Sequence, residues 1–250
     1  MIVAHRGASA LEPENTLVAF DSALRAGADV VELDVRLTSD GIPVVLHDPD
    51  VAVTTDGTGF VHTMSLDEVK RLDASRGRGP RQEVPTLEEA LDLIAAHGRA
   101  ANLEIKNLPG EPAFDSPDEG ALLEALRVVE ASGFDGPVLV SSFNWLTIER
   151  CRIEAPHIPT GFLSIGAIDA WASLVYARSH GHAFVLPQTP AVLSAGRAFV
   201  EDAHGAGIRV GTWVADDEET LATLFSWGVD AVASNDPARA RSVRERVLGQ

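Results

Sequence analysis

Short β-branched runs alternate with longer helical patterns along most of the 250-residue chain, and this alternation limits the possible folds more than any other feature. It is the signature of βα units around a parallel sheet. Eight strands are expected: Ile2 to Arg6, Val30 to Arg36, Ala101 to Lys106, Val138 to Phe143, Thr160 to Ser164, Ala183 to Pro187, Arg209 to Val214 and Ala231 to Ser234. Each is short and mostly apolar, as strands covered on both faces should be. Eight units in a chain of this length predict a closed (β/α)8 barrel of the TIM type, spanning 1–250 as one domain. An open doubly wound sheet is the main rival. It would normally carry G-x-G-x-x-G after the first strand, and Arg6-Gly7-Ala8-Ser9-Ala10 does not match.

Helix signals fill the intervals. The first helix carries Leu17, Phe20 and Leu24 at helical spacing, starts near Pro13-Glu14-Asn15-Thr16 and stops at Gly27. Others are expected from Leu87 to His97, Ala121 to Ser132 and Ala198 to Ala206, each followed by a glycine suited to a left-handed cap. Pro43 to Asp48 breaks the pattern. It follows the second strand too closely for a parallel crossover, so it must return as a hairpin. A tight turn at Ser39-Asp40 or Asp40-Gly41 would set His47 opposite Glu32 or Asp34. Residues 49–85 form no regular βα unit and are expected to be an insertion over the barrel mouth, either part of a substrate-binding rim or a solvated cap.

Polar residues stand at the ends of three apolar runs: His5 and Arg6, Glu32 and Asp34 in VVELDV, Glu104 and Lys106 in NLEIK, with His47 in PVVLHD beside them. Burying three carboxylates, two cations and two imidazoles is costly unless they serve a charged ligand, so the set reads as an active site. The formal charge of −17 argues against nucleic acid and against firm docking on an anionic membrane. A small diffusible substrate fits better. No stretch is long and apolar enough for a membrane span, and a strand starting at Ile2 leaves no room for a signal peptide, so a cytoplasmic location is expected. The single cysteine, Cys151, has no partner for a disulfide or thiolate cage and reads as an ordinary helix residue. Of 20 basic residues only Lys70 and Lys106 are lysines, and one of them lies among the strand-end carboxylates.

AHRGASALEPENT, VVELDVRLTSDGIPVVLHD, TDGTGFV, VPTLEEAL, NLEIK, SSF and SNDP, in this order, resemble a glycerophosphodiester phosphodiesterase domain across essentially the whole chain. The resemblance implies a TIM-type barrel, a divalent cation, and hydrolysis of glycerophosphodiesters to glycerol 3-phosphate and an alcohol, either through a cyclic phosphate or by direct water attack. The residues suit that chemistry independently. Glu32, Asp34 and Glu104 offer hard oxygen ligands, which favour Ca2+ or Mg2+ over zinc. Arg6 and Lys106 are candidate phosphate binders, and His5 and His47 are the candidate acid and base, with His47 the favoured acid.

Each assignment has a plainer competitor. A strand histidine is more often a satisfied core residue, an E-x-D pair more often a surface feature, and Lys106 could simply neutralise Glu104. Trp213 and Phe143 are candidates for a substrate pocket, against packing outside the barrel or in the core. Thr212 falls at the family's usual tryptophan, Ala215 replaces its asparagine and Val53 an arginine. Asp48 either orients His47 or just ends the hairpin. His62, His97, His157, His180, His182 and His204 are expected to be solvated, as are Arg239, Arg241, Arg244 and Arg246. Asn107 to Pro117 reads as a rigid loop shaping the leaving-group pocket. Two rivals remain: a phospholipase D-like or phosphatidylinositol phospholipase C-like enzyme on lipids, and a non-catalytic phosphometabolite-binding barrel or an E-x-K lyase. Oligomeric state is left open.

Overall fold

The computed structural model describes residues 1–249. Eight parallel strands close a ring in the order β1 (Ile2–His5), β9 (Ala231–Ser234), β8 (Arg209–Thr212), β7 (Phe184–Pro187), β6 (Thr160–Ser164), β5 (Val138–Ser142), β4 (Ala100–Ile105) and β2 (Val30–Leu37), sealed by β1–β2 pairing. The short β3 (Pro43–Val45) lies outside the ring, antiparallel to β2. The expected (β/α)8 barrel is therefore the observed fold.

Alternation within apparently uniform apolar runs decides what each strand shows to each side. In β2, Val31, Leu33 and Val35 pack outward with Leu103 and Ile105 of β4 against Phe20 and Leu24 of α1 (Leu17–Arg25) and Leu87, Leu91 and Ile94 of α3 (Leu87–Ala96). Glu32, Asp34 and Arg36 fall on the opposite, barrel face. Full burial of one such aliphatic side chain contributes roughly 1.5–3 kcal/mol, so register is strongly held. A second outer core joins Val185, Val210 and Val232 to Phe199 and Leu221 of the later helices. Leu17, expected on the buried stripe, is exposed at the start of α1. Thr16 caps that helix by accepting from Ala19 N, and the expected glycines at 27, 98, 133 and 207 all adopt positive φ.

The hairpin register corrects the sequence reading. Leu37 faces Pro43, Arg36 faces Val44 and Val35 faces Val45, one step away from either expected pairing. The connection is a three-residue turn, Ser39-Asp40-Gly41, with Gly41 at φ 78° and the Thr38 hydroxyl accepting from Ile42 N. Extended further, that register would turn His47 away from the carboxylates. Instead the ladder ends where Leu46 N donates to Asp34 O, and the chain then leaves the strand. Because β4 occupies one edge of β2, β1 and β3 share the other edge end to end. His47 accordingly arrives past the end of β3, where it lines the same cavity as His5.

Residues 51–74 fold as two 3-10 turns (Val51–Val53 and Val61–Thr63) and one short helix, α2 (Leu66–Val69). Val51, Val61, Val69 and Leu72 pack on Val44, Leu46 and Val84, giving this segment a small core of its own. Of the histidines expected to be solvated, His182 is buried. Its ring bonds Thr160 Oγ1 (2.8 Å) and Glu149 Oε1 (3.2 Å) and stacks on Tyr176, so the outer barrel wall absorbs it. Cys151 is a buried helix residue in α5 (Trp145–Glu154), and burial pushes its thiol up to about 12.

Candidate active site

The carboxylates of Glu32, Asp34 and Glu104 converge at the upper end of the barrel, each offering one oxygen within 4.8 Å of the others. Pairing of β2 with β4 explains this: Asp34 lies beside Glu104 in the register, and Glu32 is two residues below Asp34 on the same face. All three are buried; among the described residues Glu32 Oε1 has no hydrogen-bond partner, and Asp34 Oδ1 has only the Lys106 ammonium beside it. Burial pushes Glu32 well above the ordinary carboxylate range, Asp34 and Glu104 add to the rise, and Arg6 and Lys106 offset only part of it. Burial likewise raises Glu104 against the pull of Lys106. This is a cluster with more negative charge than its surroundings compensate, and its converging oxygens, with Glu32 Oε1 unpartnered, suit a divalent cation.

Two cations flank the carboxylates. Lys106 Nζ stands 3.0 Å from Asp34 Oδ1 and contacts Glu104 Oε1. Burial alone would lower its pKa, but Asp34 and Glu104 overcome that and raise it, so the ammonium stays charged. For Asp34 the same balance reverses: burial favours the acid, yet Lys106 and Arg6 hold it below the usual range. Arg6 sits just past β1 in a left-handed conformation (φ 56°), donating its backbone N–H to Glu32 Oε2 at 2.9 Å. Its guanidinium reaches Glu14 Oε1 at 2.9 Å and lies 3.2 Å from Asp34 Oδ2. Gly7 then follows at φ 83°, where an added Cβ would lie 2.6 Å from the backbone carbon of Ala19. Glycine is obligatory there, which explains the H-R-G string as packing as much as chemistry.

The two histidines sit in different surroundings. His5 Nδ1 is 2.8 Å from Asn235 Oδ1. Asp216 can only accept, and it takes the Asn235 amide N–H at 2.7 Å, so the amide oxygen must face His5. His5 therefore carries its proton on Nδ1 and presents the lone pair of Nε2. Burial, reinforced by the charge of Arg6, pushes its pKa down to about 4. His47 instead has an Asp48 carboxylate oxygen 3.2 Å from its Nδ1.

A cavity of about 350 Å³ opens from these groups into the barrel, with His5, Arg6, Glu32, His47, Glu104 and Lys106 on its polar side. Phe143 and Trp213 line the same cavity, meeting edge to face at 5.3 Å. Trp213 Nε1 donates to Leu186 O at 3.0 Å, which holds the indole against the barrel interior rather than outside it.

A family model described as the glycerophosphoryl diester phosphodiesterase family matches residues 5–239. The chain belongs to this family of phosphoric diester hydrolases. A glycerophosphodiester phosphodiesterase from Caldanaerobacter subterraneus is 33% identical over 242 residues, covering 95% of this chain and 94% of that protein. One from Bacillus altitudinis is 30% identical, with 98% of each chain covered. Among solved structures, an Oleispira antarctica phosphodiesterase in complex with the product sn-glycerol-3-phosphate superposes with a TM-score of 0.87 at 32% identity, covering 97% of this chain and 96% of that one.

In this phosphodiesterase-family barrel all nine sequence-nominated site residues meet at one cavity or border it. Those the sequence reading missed are the partners that hold them. Asn15, buried at φ 56°, donates its amide to Asp34 Oδ2 at 2.7 Å. Asn235 and Asp216 fix the His5 ring, and Arg36 touches the backbone of both His47 and Lys106. The strings PENT and SNDP contain Asn15 and Asn235, but nothing in their local spacing says which strand end they face.

Proposed function

We propose that the protein hydrolyses glycerophosphodiesters to glycerol 3-phosphate and an alcohol, in a divalent-cation-dependent reaction served by His5 and His47. The observation that carries this is the convergence of three buried carboxylates, two cations and two differently partnered histidines around one cavity. Glu32, Asp34 and Glu104 would hold Ca2+ or Mg2+, whose hard oxygen preference matches a site with no sulfur or imidazole ligand among them. When bound, the cation supplies electrostatic stabilisation of phosphoryl oxygen charge.

The chain's own groups divide the remaining work. Arg6 grips phosphate oxygens with the donors that Glu14 and Asp34 leave free, while Lys106 acts as a fixed point charge against the growing negative charge. His5, neutral with its lone pair on Nε2, takes the proton of the attacking hydroxyl, whether from water or from the substrate's glycerol. His47, with the Asp48 carboxylate beside its Nδ1, delivers a proton from its other nitrogen to the departing alkoxide. These histidine roles rest on the opposite character of their partners, an amide oxygen against a carboxylate. Phe143 and Trp213 form an apolar wall for the bound diester, and residues 49–85 contribute a rim beside it.

Release of glycerol 3-phosphate from glycerophosphocholine, followed with Ca2+, Mg2+ or chelator, tests this reading. Turnover should vanish in chelator, in Glu32→Ala and in His47→Ala. Full activity of His47→Ala would refute the proton-transfer assignment, and indifference to chelator would refute the cation.

One observation favours a lipid-type diester as a second reading. Phe114, Trp145, Leu146, Ile165 and Ile168 are exposed on the segments that follow β4, β5 and β6, on the mouth side of the barrel. Cleavage of a lysophospholipid in vesicles, without cleavage of glycerophosphocholine, would favour that reading.

A further inference from the structure

We propose that Arg36 is a positioning residue that fixes His47 over the phosphate site and ties it to the segment after β4. The proposal rests on the reading of His47 as the acid. It starts from the alternation of β2: Glu32, Asp34 and Arg36 share the barrel face, so Arg36 stands directly above the carboxylates. A cation there would be expected to pair with them. It does not.

Arg36 spends its donors on the frame of the site instead. Nε donates to His47 O at 2.7 Å, and Nη1 reaches Lys106 O at 3.4 Å. Nη1 and Nη2 bind Glu111 in a two-pronged pair at 2.7 and 3.1 Å. The side chain is only 3% exposed, so these contacts are made largely out of water. One planar group thus joins β2, the turn after β3, the end of β4 and the β4–α4 segment, where α4 is Gly120–Ser132. The rigid fork is needed, because a lysine ammonium cannot reach three separate acceptors in one plane.

The turn after β3 has left the sheet ladder, so few main-chain bonds hold His47 in place. Leu46 N to Asp34 O is the last. The Arg36 bond to His47 O is the next fixed point along the chain. Loss of it frees the imidazole to move relative to the leaving oxygen, and a displacement of about 1 Å can cost on the order of a hundredfold in rate.

Leaving-group dependence separates positioning from plain stability. Glycerophosphocholine releases a basic alkoxide that needs a proton; the p-nitrophenyl ester of glycerol 3-phosphate releases a phenolate that does not. For Arg36→Lys we expect kcat on the choline diester to fall about thirtyfold, with kcat on the aryl ester and both KM values within about threefold. His47→Ala should show the same selectivity more strongly. Glu111→Ala, which leaves the carbonyl contacts available but removes the anchor of the fork, should show it more weakly, and it keeps the test open if Arg36→Lys does not fold. Equal losses on both diesters in Arg36→Lys and Glu111→Ala, beside a selective loss in His47→Ala, would overturn the proposal alone. No selectivity in His47→Ala would overturn both it and the acid assignment.

Discussion

Asn235 turns its amide oxygen to His5 Nδ1 at 2.8 Å because its amide nitrogen is already bound to Asp216 at 2.7 Å. The ring is thereby fixed in one tautomer by a residue more than two hundred positions away. Asn235→Ala removes the acceptor and frees the ring to rotate or to move its proton. The expected result is a fall in kcat/KM of about a hundredfold, typical of a misplaced general base, with a stability loss of only about 1–2 kcal/mol in urea unfolding.

His5 also makes stability depend on pH. Its folded pKa of about 4 lies below the ordinary 6.5, so the folded state binds fewer protons than the unfolded chain. The neutral ring's contribution is complete above pH 6.5 and is lost as pH falls towards 4. In chelator, unfolding free energy between those limits should drop less steeply in His5→Gln than in the natural sequence, by up to about 3 kcal/mol across the window. Parallel curves for the two proteins would refute the depressed pKa.

Glu32 carries the opposite sign. Its pKa is raised, so the folded state holds a proton more tightly and the metal-free protein loses stability as pH rises through and above 4.5. At pH 7.5 in chelator, Glu32→Gln should melt several degrees higher than the natural sequence, while abolishing turnover. Ca2+ or Mg2+ should raise the Tm of the natural sequence and leave the variant nearly unmoved. A variant that melts lower without cation would remove the case for uncompensated charge.

Gly7→Ala tests the packing beneath the H-R-G string. At φ 83° with Ala19 backbone 2.6 Å from the new Cβ, neither the left-handed conformation nor the contact with α1 can be kept without movement. A loss of about 2–4 kcal/mol is expected by thermal or urea unfolding, and Arg6 should be displaced with it. A loss below about 0.5 kcal/mol would show that α1 yields easily.

The barrel and the strand-end clustering of charged residues were legible in the sequence because both follow from local patterns. Alternating βα patterns set the element order, glycine after each helix marked the caps, and E-x-D and E-x-K placed pairs of charges on single strand faces. The expected strands Val138 to Phe143 and Arg209 to Val214 end slightly earlier, at Ser142 and Thr212, a difference that moves no side chain to another face. The route of His47 was not legible. One extra residue in the Ser39-Asp40-Gly41 turn shifts the register, and only the end-to-end arrangement of β1 and β3 on the same edge of β2 returns His47 to the site.

The sequence by itself pointed to the barrel, through the repetition of βα units along the chain, and nominated the carboxylates and cations, through pairs placed at the ends of single strands. Tertiary structure decided how the His5 ring is oriented, why Trp213 faces inward and what bonds the backbone of His47. Those depend on Asp216, Asn235, Leu186 and Arg36 reaching across ring closure or between neighbouring strands. Hydrogen-bond direction is set by the atom that arrives, and no local spacing encodes which atom that will be.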